Sequence, residues 1–326
     1  MVFSSEYNKY VLDVQNTMLS CLEYKSKFLK KIANYAPISN GKMVRAVLLF
    51  AFAKLSGNLS DECYKKAVNF GAVIELLHLA TLVHDDVIDF SDKRRGKPTL
   101  HSEYGNRLAI LAGDLLFSVS FKLMSFSGGS AEILQAISLA CENLVCGEME
   151  EENLTGNVKI TREDYLVIIH KKTAELFQVA CKIGAIISNS KFVDIAEDFG
   201  LNIGMSFQII DDAIDYFSTE KKSKKMQYGD LISKKCTLPI LLLRAACDKE
   251  ELQKIDSYFT NSDKILNPGD IEEISKMMER YEINEKMREE SWVYLSKAQE
   301  NLGVFPKSAD REMILSFMND FNIRYS

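Results

Sequence analysis

Proline and glycine are scarce, with 5 and 16 in 326 residues. Few chain-breakers, set against many Leu, Ile, Ala, Lys and Glu, favour long helices over sheets. Cysteine has no pattern. Its seven copies (Cys21, Cys63, Cys141, Cys146, Cys181, Cys236 and Cys247) are odd in number and never spaced C-x-x-C. That argues against a thiolate metal site or a disulfide framework and leaves free thiols in a reducing compartment. Long uncharged runs are missing too: the longest, Phe199 to Ile210, is too short to cross a bilayer. Glu6, Lys9 and Asp13 leave no apolar signal core near the start. A positive excess is likewise absent, and a net charge of −6 argues against nucleic acid as the main partner. What the chain does have is apolar content: 47% hydrophobic residues can bury a sizeable core. With no linker-like segment, the expectation is one soluble, cytoplasmic, all-α domain spanning residues 1–326.

Helical periodicity runs through most of the chain. The pattern predicts a polar amphipathic helix over 5–33, a break from Pro37 to Gly41, and an apolar helix over 43–55 ended by Gly57. A long apolar helix follows at 61–89, then a basic loop at 91–99 containing Gly96 and Pro98. Helices are expected at 103–126, 130–152, 162–188 and 192–217, and a lysine-rich loop at 218–234. Thr237-Leu238-Pro239 opens another apolar helix, since proline is tolerated in the first turn. Beyond about residue 248 the charge rises, as on outer-layer helices.

One short pattern occurs twice: Asp85-Asp86-Val87-Ile88-Asp89 and Asp211-Asp212-Ala213-Ile214-Asp215. Residues four apart share a helix face, so Asp85 meets Asp89 and Asp211 meets Asp215, and like charges at that spacing repel. A solvated helix face would explain a single acidic triplet. The flanks argue otherwise, because 75–84 and 204–210 are apolar on nearly every side, as in a buried helix. Carboxylates at such a helix end need compensating charge. All-oxygen donors suit a hard cation. Neither triplet has the alternating ligands or turn glycine of an EF-hand. Magnesium typically joins a few carboxylates to substrate phosphates, so two facing carboxylate walls would clamp a diphosphate through Mg²⁺.

An anion of that charge calls for converging cations. Lys42 and Arg45 open a helix, where free N–H groups also favour an anion. Arg94 and Arg95 directly follow the first aspartate triplet, and Lys172 with Thr173 lies within a helix that becomes apolar. Lys225 and Lys235 flank the loop after the second triplet. For Lys171, Lys221, Lys222 and Lys234 an ordinary solvated surface is the better reading. His78 sits two turns before Asp85 on the same face, and a core histidine and a ligand remain equally open there. His84, His101 and His170 receive no role.

These residues resemble the trans-isoprenyl diphosphate synthase family, in its medium- or long-chain branch. GKMVR (41–45), ELLHLATLVHDDVIDFSDKRRGKPTLH (75–101), LAGD (111–114), HKKTAELF (170–177), FQIIDDAIDY (207–216), KMQYGD (225–230) and KKCTLP (234–239) carry the likeness, in the family's order. The resemblance implies an all-α bundle around a deep cavity, a homodimer, and about three Mg²⁺ ions per active site. It implies Asp85, Asp89 and Asp211 as principal metal ligands, with Asp86, Asp212 and Asp215 supporting them. Lys42, Arg45, His78 and Arg95 would hold isopentenyl diphosphate, and Arg94, Lys172, Lys225 and Lys235 the allylic diphosphate. Thr173 and Gln208 would lie near the reacting carbons, as cation-steadying dipoles or as core polar residues satisfied by neighbours; both readings stay open. The chain departs from the family where Lys224 and Lys234 replace loop glycines, and where Glu151 follows Gly147-Glu148 in place of a common Gln.

The implied chemistry is ionisation of the allylic diphosphate and head-to-tail condensation in a water-poor cavity. A class I terpene cyclase fits less well, since the second triplet is all Asp and Lys42/Arg45 suggest a second diphosphate site. A metal-dependent phosphohydrolase would use His84-Asp85 but needs more histidines than the four present. A non-catalytic subunit would be expected to lose aspartates. The small Ala80 and Thr81 before the first triplet leave the tail path open as far as Leu77 and Ile74, with Phe117, Phe121 and Met124 as later floors. That distance adds roughly 9 Å, which predicts a product of about six to eight isoprene units. A geranylgeranyl product is the alternative. An apolar product is compatible with peripheral membrane contact.

Overall fold

The computed structural model describes residues 4–324 except 24, 25, 28, 31–41, 56, 58, 95, 218–227 and 261–265. The described residues are almost wholly helical, and their only strands are the two-residue β1 (Lys93–Arg94) and β2 (Lys97–Pro98). These pair antiparallel, so the expected basic loop is a small hairpin. The chain then turns into α4 (Leu100–Tyr104). Gly105, at φ +81°, separates that turn from the next helix, which therefore starts later than the pattern predicts.

Two apolar clusters build the interior. The first gathers α1 (Ser5–Cys21), α2 (Val44–Lys54), α3 (Asp61–Ile88), α5 (Asn106–Phe126) and α6 (Ala131–Leu154). The second gathers α7 (Arg162–Ile169) with α11 (Leu238–Ala246), which follows the one-turn α10 (Gly229–Ile232), and α12 (Lys249–Thr260), α13 (Pro268–Arg280) and the start of α14 (Ile283–Gly303). α8 (Glu175–Ile187) belongs to the first, while α9 (Val193–Phe217) serves both: Phe199 and Ile203 face the first, Met205 and Ile209 the second. α15 (Ala309–Arg324) closes the first cluster with Ile314, Phe317 and Met318. The break from Pro37 to Gly41 lies outside the described residues, and the first helix ends at Cys21 rather than 33. All seven cysteines are free.

The expected helix over 162–188 is interrupted. Residues His170–Ala174 form a single π turn between α7 and α8. A π turn inserts one residue into the helical ladder and re-aims the side chains around it, commonly at functional sites. No composition cue marks it, because each residue there is an acceptable helix former.

Helices α3 and α5 are each long and apolar enough to cross a membrane by length and composition alone. The apolar stretch of α3 is mostly buried in the protein, as in a core helix, whereas that of α5 is only one-third buried. Exposed on α5 and α6 are Ile110, Leu111, Phe121, Leu139, Val145 and Met149.

Lys234 adopts φ +58° and Tyr228 φ +61°. Lys234 thus keeps the left-handed backbone that a glycine would supply, at a steric cost of roughly 1–2 kcal/mol for an L-residue. Its carbonyl accepts the Gly156 N–H at 2.9 Å, which fixes the turn. Lys234→Gly should raise the unfolding free energy by about 0.5–1 kcal/mol, part of the relief being offset by glycine's greater chain entropy. Urea unfolding measures this, and a destabilised variant would show that the lysine's contacts outweigh the strain.

Candidate active site

Helix α3 is buried over most of its second half, but His78, Thr81, Leu82 and Asp85 keep partial solvent access. Their spacing of three, one and three residues makes one stripe of the helix. On α9, Phe207, Gln208, Asp211 and Ile214 form the equivalent stripe in an otherwise buried stretch. Each of these partly accessible stripes on a buried helix contains the first aspartate of a triplet. Ala80 and Leu77, expected to line the tail path, are fully buried beside the α3 stripe, whereas Thr81 lies on it. His84 faces another side: it packs toward Phe117 with ring centroids 6.0 Å apart, and its Nε2 lies 3.1 Å from the Ile110 carbonyl. His84 and Asp85 therefore do not form a paired ligand set.

The second aspartate of each triplet is engaged by the protein. Arg94 Nε donates to Asp86 Oδ1 at 2.7 Å. The Tyr165 hydroxyl donates to Asp212 Oδ2 at 2.6 Å, and Gln208 Nε2 donates to Asp212 Oδ1 at 2.6 Å. Thr173 Oγ1 in turn donates to Gln208 Oε1 at 2.6 Å, so Thr173, Gln208, Asp212 and Tyr165 form one chain of bonds. Gly204 permits it: a Cβ there would come 2.5 Å from Ala174 Cα, so only glycine lets α9 approach the π turn so closely. Asp215 accepts the Asp230 N–H at 3.1 Å and is 8% exposed. Burial drives the Asp212 carboxyl up to about 7. Burial, with Glu148 adding repulsion, drives Asp85 up to about 7 as well.

The π turn aims Lys172 at α6. A Cβ on Gly147 would lie 2.7 Å from Lys171 Cβ, so that glycine brings α6 and the turn together. Lys172 Nζ contacts Glu148 Oε2 at 2.7 Å and Glu151 Oε2 at 2.6 Å. Lys235, beyond α10, reaches the same Glu151 Oε2 at 2.7 Å and Asp89 Oδ1 at 2.8 Å, tying α3, α6 and the turn before α11 together. Burial opposes the charge on both lysines, yet Glu151 and its neighbours hold each well above the ordinary ammonium range. Glu151 is held below its ordinary value: burial works to raise it, and Lys172 and Lys235 overcome that. Carboxylate oxygens of Glu148, Glu151 and Glu152 come within 4.8 Å of one another. Lys171 pairs with Glu150 instead.

Deeper in, Arg45 is 8% exposed, and its guanidinium stacks 4.4 Å from the Phe177 ring centroid. Among the described residues its Nε finds no hydrogen-bond partner. Burial lowers its pKa to about 10, with the carboxylate of Glu75 opposing the shift. Glu75 also accepts the Ala46 N–H at 3.1 Å. Lys42 is exposed just ahead of α2. Arg95, Lys224 and Lys225 lie outside the described residues.

Sequence reasoning missed the roles of Tyr165, Glu75, Glu148 and Asp230. For Glu75 a signal existed, since it is an acid in an otherwise apolar helical stretch with a cation to match elsewhere, whereas Glu148 is hidden among the neighbouring acids Glu150, Glu151 and Glu152. Tyr165 carried none, because a tyrosine at a helix start is commonplace.

The polyprenyl synthetase family model matches residues 26–278. The chain is 30% identical to a geranylgeranyl diphosphate synthase of Sulfolobus acidocaldarius, covering 99% of this chain and 98% of that protein. It is 35% identical to the heptaprenyl diphosphate synthase component 2 of Bacillus subtilis, over 85% and 77% of the two. Its fold matches a polyprenyl synthase from Caulobacter crescentus crystallised with calcium and isoprenyl diphosphate, with a TM-score of 0.88, 28% identity and 96% and 94% coverage.

Proposed function

Because the chain belongs to the polyprenyl synthetase family, we propose that it is a prenyltransferase that joins isopentenyl diphosphate head-to-tail to an allylic diphosphate. One observation carries this reading: two partly accessible stripes on buried helices contain Asp85 and Asp211, with Lys172 and Lys235 beside them. The two clusters share α9, which supports reading residues 1–326 as one domain.

The carboxylates suited to a divalent cation are Asp85, Asp89 and Asp211, all oxygen donors and, for Asp85, crowded by Glu148. Asp86, Asp212 and Asp215 act behind them through Arg94, Tyr165 and the Asp230 N–H. Mg²⁺ held there, about three ions per site, would supply Lewis-acid neutralisation of the leaving diphosphate. Lys172 and Lys235 take up charge on that diphosphate, with Arg94 and Lys225 assigned to the same group. Arg45, a buried guanidinium whose Nε has no hydrogen-bond partner among the described residues, anchors the diphosphate of isopentenyl diphosphate together with Lys42, His78 and Arg95. As the allylic C–O bond breaks, its electron pair leaves with diphosphate, and the isopentenyl double bond attacks the resulting cation. Neutral dipoles from Thr173 and Gln208, fixed by their mutual bond, steady the cation without capturing it. The proton then lost passes to the released diphosphate.

Thr81 on the open stripe leaves room for a product longer than farnesyl, about six to eight isoprene units. Near full-length similarity to a geranylgeranyl diphosphate synthase makes that product the alternative. The apolar exposed residues of α5 and α6 support a homodimer through those helices, and light scattering should read twice the 36.9 kDa chain mass. The deciding experiment incubates the purified chain with Mg²⁺, isopentenyl diphosphate and a set of allylic primers and weighs the products. Release of phosphate without any prenyl product would reject the assignment.

A further inference from the structure

Among the described residues of the site, Glu151 alone offers a single oxygen to both lysines. Its Oε2 lies 2.6 Å from Lys172 Nζ and 2.7 Å from Lys235 Nζ. Those lysines come from unrelated parts of the chain, one from the π turn and one from the segment before α11. Two ammonium groups this close repel, and an anion between them makes the arrangement stable. A diphosphate oxygen is likewise anionic and accepts charge-assisted hydrogen bonds from ammonium groups, as that carboxylate oxygen does. Each lysine also has a second carboxylate of its own: Glu148 for Lys172 and Asp89 for Lys235. Removing Glu151 would therefore vacate the place between the lysines while each stays tethered.

We propose that Glu151 is a positioning and selectivity residue: it occupies the place of the allylic diphosphate, holding Lys172 and Lys235 in register, and yields them when the substrate enters. This rests on the assignment of both lysines to the allylic diphosphate. Substrate binding is then an exchange of one anion for another, and the released inorganic diphosphate competes with a carboxylate attached to the enzyme. A neutral Gln at 151 can accept from one lysine but cannot replace the charge. The chain's departure from Gln at this position thus trades diphosphate affinity for easier release.

The test uses the full chain with Mg²⁺ and E151Q, with inorganic diphosphate as the probe in calorimetry. The expected result is about tenfold tighter binding to E151Q, corresponding to release of one charge-assisted hydrogen bond. Steady-state kinetics should show a lower KM for the allylic substrate, an unchanged KM for isopentenyl diphosphate, and a kcat that does not rise. E151D, which keeps the charge with a shorter reach, should bind diphosphate with intermediate strength, and it reads the same question if E151Q does not fold. Equal or weaker diphosphate binding in either variant overturns the proposal, as does a parallel shift of both KM values. Because the calorimetry needs no turnover, failure of the proposed reaction and failure of this inference are read separately.

Discussion

Asp85→Ala lowers kcat by about 10³-fold or more, while the melting temperature stays at or above that of the parent protein. Asp85 lies on the accessible stripe of α3, near its C-terminal end, and its carboxyl is driven up to about 7 by burial and by Glu148. In the apoprotein such a group costs free energy rather than contributing it, since it is desolvated beside another acid. Removing it relieves that cost and also removes a principal oxygen donor for the divalent cation. Asp211→Ala, on the α9 stripe, is expected to lose turnover alike, since it removes another principal oxygen donor and relieves the repulsion from Asp215 four residues on. Kinetics at saturating Mg²⁺ paired with thermal melts measure both halves of the expectation. Turnover near that of the parent protein would end the metal assignment, and a collapsed melting temperature would show that the carboxylate holds the fold.

Thr81→Phe shortens the product from about six to eight isoprene units to about three or four. Thr81 lies about one helical turn before Asp85 on the same accessible stripe, so a ring there projects into the tail path. Ala80→Phe is expected to act in the same direction by a different route. Ala80 is fully buried, so a ring must push packed neighbours toward the cavity, and overpacking costs typically 1–3 kcal/mol. Product masses from both variants, with their melting temperatures, separate the two routes. An unchanged product from Thr81→Phe would mean that the tail does not pass this face.

The aspartate pair at each helix end was legible because carboxylates at four-residue spacing have no reason to close an apolar helix without a cation. Periodicity alone could not say which aspartates of each triplet are taken up by the protein and which stay accessible. That depends on which side of the helix meets Arg94 or Tyr165, residues with no sequence relation to the triplets. The helices were legible for the same reason that their boundaries were not. Apolar spacing specifies a face, but the stop at Gly105 and the π turn at 170–174 are decided by backbone angles and close packing against other helices. Lys234 was visible as a departure from glycine, yet only the structure shows the backbone keeping the left-handed turn despite it. The pairing of Glu151 with two distant lysines required three-dimensional proximity, which no single-chain pattern encodes.

The π turn makes the site sensitive to residue count as well as residue identity. Deleting one residue between His170 and Ala174 would let α7 run into α8 as an unbroken α-helix, the more favourable local ladder. If the residue lost is Lys171, every functional side chain is still present. The helices on either side would keep nearly their present phase, because the wider turn already absorbs that residue, and the change would fall on the side chains within the turn. Lys172 and Thr173 would lose their common aim toward Glu151 and Gln208, while α8 keeps its buried face. For this segment a frame-preserving loss of one codon is more damaging than any single conservative replacement, so its length is under as much constraint as its chemistry.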